Sequence, residues 1–468
     1  MQPTDDPENS FRDRLYTIDE SGKRLWVYAR KPKGILTTAR NITGILLMVF
    51  FFTAPFIRVN GQPLLLLDFM HRTFVIFGVQ FWPQDFHLFF IGMIALIVFI
   101  ILFTATYGRL WCGWACPQTV FMEVVFRRIE YWIDGDYQKQ KELDARKWDA
   151  GKIARRMLKH GIFYLISFVI GNYFLMYLMG SDEWIKLVTD DPAEHVAGLA
   201  GMAVFSFVFY FIFSWFREQV CTIVCPYGRL QGVLLDSSSI VISYDYLRGE
   251  ERGPLRRGED RASLKKGDCV DCRLCVVVCP TGIDIRNGTQ LECINCACCI
   301  DACNGMMQKA GFRPGLIRYA SEKMLKTRQP WKLTWRTGAY TLVLAGLLGA
   351  FTYYLATRNP VEATVLRAPG MLFQDQGDGK ISNLYNLKVV NKTGKDLPVE
   401  LRVLTIPGEV RIIGNPPVIP KQTVGEAVFF LVLESRNVPA SRMDLEVGIF
   451  SEGKLMDRTK TTFFGPGK

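Results

Sequence analysis

The chain has 468 residues, of which 49% are hydrophobic, 13% aromatic and 22% charged, with a mean hydropathy of +0.12. Strongly apolar stretches must alternate with strongly polar ones, which excludes a uniform soluble globule. The net charge of +11 fits the cytoplasmic loops of a membrane protein rather than a nucleic-acid surface, and the thirteen cysteines all fall between Cys112 and Cys303, so neither end carries a disulfide scaffold.

In chain order, residues 1–40 form a basic segment containing Arg12, Arg14, Lys23, Arg24, Arg30, Lys31 and Lys33, and no signal peptide is expected ahead of the first apolar run. Five uncharged runs approach or reach the roughly 20 residues needed to span a bilayer as a helix. They cover residues 41–57, 86–108, 161–180, 196–216 and 337–357. The first is short and holds Pro55, with Arg40 and Arg58 placed to snorkel toward the two interfaces. Lys and Arg number 8 in residues 1–40, 11 in 108–160 and 19 in 217–336, whereas residues 58–85 hold only Arg58 and Arg72 and residues 181–195 only Lys186. The positive-inside rule therefore predicts a cytoplasmic amino terminus, cytoplasmic 108–160 and 217–336 segments, and a periplasmic carboxyl-terminal tail in a bacterial inner membrane.

The expected organisation is a basic segment (1–40), a four-helix membrane domain (41–235), a cytoplasmic ferredoxin-like domain (236–336), a fifth transmembrane helix (337–357) and a β domain (360–468). The fold class is thus an α-helical polytopic membrane protein with an inserted two-cluster module and an all-β tail. In that tail, alternating runs at 385–390, 399–404, 427–433 and 445–450 are separated by the turn clusters 391–395 and 414–417, which suggests an immunoglobulin-like sandwich. The acidic stretch 375–379 lacks the ligand spacing of a calcium loop and reads as a plain turn.

Cys269, Cys272, Cys275 and Cys279-Pro280 form C-x2-C-x2-C-x3-C-P, and Cys293, Cys296, Cys299 and Cys303 repeat the spacing. In two-cluster ferredoxins the fourth cysteine of each run ligates the other cluster. The expected sets are therefore crossed: Cys269, Cys272, Cys275 and Cys303 for one [4Fe-4S] cluster, and Cys279, Cys293, Cys296 and Cys299 for the other. Zinc does not need two four-cysteine runs, and a reducing cytoplasm disfavours disulfides. Cys298 is a ninth thiol in this region and reads as a small buried side chain.

A second cysteine pattern lies where two spans return to the cytoplasmic side. Cys112, Cys116 and Pro117 give C-x3-C-P after the second span, and Cys221, Cys225 and Pro226 repeat it after the fourth, offset by 109 residues. Such duplication implies pseudo-symmetric hairpins that bring the two pairs together. Either each span continues as a helix with its cysteines at i and i+4, or a new helix starts at each proline with Cys116 or Cys225 at its amino end. Small residues in a tight turn would explain one pair; four soft thiols at equivalent places suit Cu(I), zinc or a further iron-sulfur centre. His71, His87, His160 and His195 are scattered, and no covalent haem motif is present. Phe81, Trp82, Phe86 and Phe89 read as an interfacial belt.

The ordered combination of WCGWACPQTVF, CTIVCPYGRLQG, the two cluster runs and the β tail resembles the cytochrome-oxidase accessory family called CcoG, FixG or RdxA, over nearly the whole chain. The resemblance implies an inner-membrane protein that supports assembly of a cbb-type haem-copper oxidase, with two [4Fe-4S] clusters on the eight positions above. It further implies a cupric oxidoreductase converting Cu(II) to Cu(I), with Cys112, Cys116, Cys221 and Cys225 as the paired copper and catalytic cysteines. The implied partners are oxidase subunits, copper-handling assembly factors, an unidentified electron donor such as a quinol, and a second copy of the chain. A quinol dehydrogenase subunit similar to NapH-type proteins, or a non-catalytic assembly scaffold, are the alternatives.

Overall fold

The computed structural model describes residues 17–466 except 19, 20, 22, 60, 70–72, 83, 84, 257–260, 262, 371, 394, 415, 416, 422 and 439. Arg12, Arg14, His71, Arg72, Gly394, Asn415 and Pro416 of the sequence reading lie outside the described residues. The chain divides into one unit of Met1–Arg58, Pro63–Phe77 and Trp82–Ala350, and a second of Val59–Gln62, Gly78–Phe81 and Phe351–Lys468.

Among the described residues, five helices are long and apolar enough to cross a membrane. The first four are α1 (Ile35–Thr53, prolonged by a turn at Ala54–Phe56), α2 (Phe86–Tyr107), α3 (Ala150–Met179) and α4 (Val196–Phe211, prolonged to Phe216). In the cysteine-rich region lies α5 (Cys298–Lys309), and α6 (Trp335–Ala356) is the fifth long apolar helix. A helix of 22 residues such as α2 is about 33 Å long, enough for a hydrocarbon core.

Two helices start well before their apolar runs, each for a reason outside hydropathy. For α1 the Asp301 carboxylate on α5 accepts the backbone N–H groups of Leu36 and Thr37 at 3.2 and 2.7 Å and the Thr37 hydroxyl at 2.7 Å, so the cap comes from a distant residue. The amino-terminal extension of α3 is capped by Asp149, which accepts from Lys152 N at 2.9 Å, and is tied down by the buried Lys159–Asp134 pair at 2.6 Å. Pro55 falls in the turn after α1, where it breaks no helical bond.

In the cysteine-rich module, strands Val241–Tyr244 and Ile317–Ala320 pair antiparallel and close the region between them. Ile242, Tyr244, Ile283, Ile285, Ile300, Met307, Leu316 and Ile317 bury their side chains around Cys269, Cys275, Cys299 and Cys303. The interior is therefore apolar on one side and thiol-lined on the other.

The second unit is a two-sheet sandwich. Its strands are β1 (Val361–Arg367), β2 (Gln374–Gly377), β3 (Lys380–Asn391), β4 (Glu400–Val403), β5 (Glu409–Ile412), β6 (Val424–Glu434), β7 (Arg442–Ser451) and β8 (Lys454–Phe464). One sheet runs β5-β6-β3-β1 with β2 beside β3, and the other runs β4-β7-β8. Alternate residues of each strand face inward, so Ile381, Tyr385, Leu387 and Val389 of β3 and Phe429, Leu431 and Leu433 of β6 meet Leu401, Leu445, Val447, Ile449 and Phe463 in one core. The Tyr385 hydroxyl crosses between sheets to donate to the Thr462 carbonyl at 2.9 Å. Residues 375–379 form the tip of the β2–β3 hairpin, with Gly377, Asp378 and Gly379 all at positive φ.

Candidate metal centre

The two cysteine runs share one backbone design. Asp271 and Arg273 have φ of 50° and 52°, and the residues 24 positions on, Asn295 and Ala297, have φ of 54° and 65°. These left-handed residues wind each loop tightly before a helix, at Leu274–Val277 and at α5. The fourth cysteine of each run, Cys279 or Cys303, is carried away from its own loop.

The consequence is a pair of thiol-lined cavities. One is lined by Cys269, Cys272, Cys275 and Cys303 with Tyr244, Met307 and Ile317. The other is lined by Cys279, Cys293, Cys296 and Cys299, with Cys275, Cys298 and Ile283 also on its wall. An all-thiol donor set around an apolar void is the environment an iron-sulfur cluster requires, so the residues present fit that group. Burial pushes the Cys275, Cys293 and Cys303 thiols up to about 12, so cations are needed to hold them as thiolates. Cys272 is exposed, so the first cavity reaches the surface, whereas none of Cys279, Cys293, Cys296 and Cys299 is exposed.

The first of the duplicated C-x3-C-P pairs lies beside the second cysteine run. After α2 the chain breaks at Gly108 (φ 57°, ψ −132°), and after α4 it breaks at Arg217, 109 residues on, in the same conformation (φ 50°, ψ −122°). New helical turns start at Pro117 and Pro226, with Cys116 and Cys225 as extended cap residues. This is the second of the two geometries the spacing allows; the spans do not run on through the motifs. The duplication is therefore present in the backbone as well as in the letters. All four thiols lie within electrostatic reach of one another. Burial, reinforced by the neighbouring thiols, pushes Cys112 up to about 11 and Cys221 up to about 12. Among the described residues, no three His, Cys, Asp or Glu side chains converge closely enough to hold a single metal ion as they stand.

Three contacts weld the first pair to the second cluster loop. Cys112 packs against a group formed by Val278, Ile294, Cys296 and Cys298, which is also where the ninth thiol is buried. Trp114 Nε1 donates to the Asn295 carbonyl at 3.3 Å and to Tyr319 Oη at 3.1 Å. Gly113 has no room for a side chain, because a Cβ there would stand 2.3 Å from the Ile294 carbonyl oxygen and 2.9 Å from Cys296 N. Gly113→Ala is accordingly expected to displace the 294–296 loop and cost about half of the bound iron, measured as iron per chain, while the 269–275 loop is spared.

Arginines complete the junction, and sequence reasoning missed them. Arg109 donates to the carbonyls of Leu291 and Gly228, joining the cluster loop to the helix of the second pair. Arg40, expected to snorkel, is instead 4% exposed and turned inward. Arg58 behaves closer to expectation and pairs with Asp182 at 2.6 Å, with both side chains at least half exposed. Behind the motifs, Arg217 pairs through both terminal nitrogens with Glu130 at 2.6 and 2.9 Å. The one available signal was that a chain reading as apolar kept Arg40, Arg127, Glu130 and Arg217 next to its spans, where a buried charge needs a partner. Of the described histidines, His160 on α3 meets Tyr210 at 2.9 Å and His195 lies near Asp190 at 3.6 Å.

Residues 216–322 match the family described as a 4Fe-4S dicluster domain, residues 89–139 a 4Fe-4S binding domain, and residues 351–466 the IG-like fold at the C-terminus of FixG. Protein RdxA of Cereibacter sphaeroides is 34% identical over 396 residues, 81% of this chain and 82% of that protein. Nitrogen fixation protein FixG of Rhizobium meliloti is 31% identical over 436 residues, 84% of this chain and 82% of that one. Protein RdxB of Cereibacter sphaeroides is 32% identical over 453 residues, 91% of this chain and 93% of that one.

Proposed function

The chain belongs to the FixG/RdxA family of iron-sulfur electron-transfer proteins, and from that premise we propose that it is a membrane-bound cupric reductase which supplies Cu(I) for the copper centre of a cbb-type oxidase. The observation that carries the proposal is the packing of Cys112 against the buried group of Val278, Ile294, Cys296 and Cys298, with Cys116, Cys221 and Cys225 within electrostatic reach of Cys112. Cys269, Cys272, Cys275 and Cys303 would hold one [4Fe-4S] cluster, and Cys279, Cys293, Cys296 and Cys299 the other. When bound, such clusters supply single electrons, which matches the one-electron reduction of the substrate Cu(II) to Cu(I).

The chain's own residues account for the rest. Exposed Cys272 gives an electron donor access to the first cavity, and the apolar wall around the second keeps water from the thiols. Cys112, Cys116, Cys221 and Cys225 bind copper, and thiolate softness favours the Cu(I) product over Cu(II). The charge distribution supports a cytoplasmic location for the clusters and a periplasmic one for the β domain, where oxidase subunits and copper-handling factors would dock. A second reading, a quinol-linked subunit, is favoured by an apolar cavity beside the first pair, lined by Phe51, Trp111, Pro117, Phe121, Phe174 and Phe213.

The test is anaerobic reduction of Cu(II) by the purified, chemically reduced protein. Replacing all four membrane-face cysteines by Ser is expected to lower turnover at least about a hundredfold while the iron content stays at two clusters per chain. Unchanged turnover refutes copper reduction at the quartet, and cluster reduction by quinol that is indifferent to copper favours the second reading.

A further inference from the structure

A network of charges, most of them buried, joins several helices. Among the described residues, Arg24, Arg40, Arg127, Arg156, Lys159 and Arg217 face Glu123, Glu130, Asp134, Asp144 and Glu218, six cations against five carboxylates. The mismatch falls at Arg40. Among the described residues, the one carboxylate within ion-pairing distance of it, Glu123, stands 3.8 Å away and is held more closely by Arg127 at 3.2 Å. Its Nε has no hydrogen-bond partner, and its Nη1 donates at 3.4 Å to the carbonyl of Cys296. Arg127, 3% exposed, reaches the same cavity from another side, donating at 3.4 Å to the carbonyl of Pro280. A guanidinium that is 4% exposed and only loosely paired is costly unless another negative group compensates it. The thiolate loop it faces is that group.

The first cavity is arranged in the opposite sense. Two arginines line it: Arg286 is engaged by two carboxylates, Asp271 at 2.5 Å and Asp284 at 2.7 Å, and Arg273 is 73% exposed and screened by solvent, so little positive charge is left for the thiols.

We infer that Arg40 is a positioning residue for electron flow: its buried, incompletely neutralised charge raises the reduction potential of the cluster held by Cys279, Cys293, Cys296 and Cys299 above that of its neighbour. A cluster gains one negative charge on reduction, so a fixed cation stabilises the reduced form. Electrons entering at exposed Cys272 are thereby drawn inward toward the buried group against which Cys112 packs. The inference rests on the cluster reading proposed above and adds a direction to it.

The test is an electron paramagnetic resonance redox titration of the whole protein, with the signal of the second cluster identified by its loss in Cys293→Ser. In Arg40→Gln the ratio of reduced to oxidised second cluster at a fixed potential is expected to fall at least tenfold, a shift of about 59 mV for one electron, with the first cluster unmoved. Arg40→Lys is expected to restore most of it. Glu123→Gln removes the competing carboxylate and is expected to shift the same cluster the other way, which decides the matter if Arg40→Gln does not accumulate. Equal shifts in both clusters, or none in either variant, overturn the role of Arg40. Wild-type protein with no cluster signal overturns instead the cluster reading beneath it.

Discussion

Replacing Cys303 by Ser is expected to abolish one cluster and spare the other, with bound iron falling by about half and one of two paramagnetic signals lost. Cys303 lies in the second run of the sequence, yet it lines the cavity of Cys269, Cys272 and Cys275. It should therefore behave like Cys269→Ser and unlike Cys299→Ser, although Cys299 is four residues away on the same helix. Conversely, Cys279→Ser should pair with Cys299→Ser, since both line the other cavity. The four variants, compared by iron content and by spectrum, decide between crossed and run-by-run ligation. If Cys303→Ser and Cys299→Ser lose the same signal, the crossed assignment fails. The effect is large because the rest of that cavity's wall, including Met307, Leu316 and Ile317, offers no thiolate to replace the lost one.

Glu130→Ala is expected to destabilise the first unit by about 3–5 kcal/mol, the usual result of removing one partner from a buried ion pair. Arg217 is 2% exposed and held in a left-handed conformation, and Glu130 both neutralises it and accepts its two hydrogen bonds. Lys159 adds a third contact to Glu130 at 3.9 Å. Burial would raise the Glu130 carboxyl, but the charges of Arg217, Lys159 and Arg127 outweigh it and hold its pKa below the ordinary value. A lowered folded-state pKa means that this stabilisation is present at neutral pH and is lost as the pH falls from the unfolded-state value through the folded one. The measurement is the thermal midpoint in detergent, with Glu130→Leu/Arg217→Gly as control. The pair of changes removes both charges and supplies at position 217 the residue that its counterpart, Gly108, already uses, so it should recover most of the loss. A single Glu130→Ala variant with a wild-type midpoint would contradict this account.

The sequence alone supplied features whose signal is local, although it missed the short helix Ser181–Thr189. Runs of uncharged residues need only their own length to be read as helices, which is why 86–108 and 196–216 correspond closely to α2 and α4. Cysteine spacing in a loop and the following helix is likewise set within a few residues, and the alternation in β3, β6 and β7 is the period of a strand with one buried face. The tertiary structure decided what depends on residues far apart in the chain. Asp301 extends α1 backward, Gly113 is needed because a carbonyl from residue 294 presses on it, and Arg40 turns inward instead of snorkelling. No window of sequence contains both members of such contacts. The direction of a charged side chain follows the field of all its neighbours, and the space beside a glycine is fixed by whichever backbone folds against it.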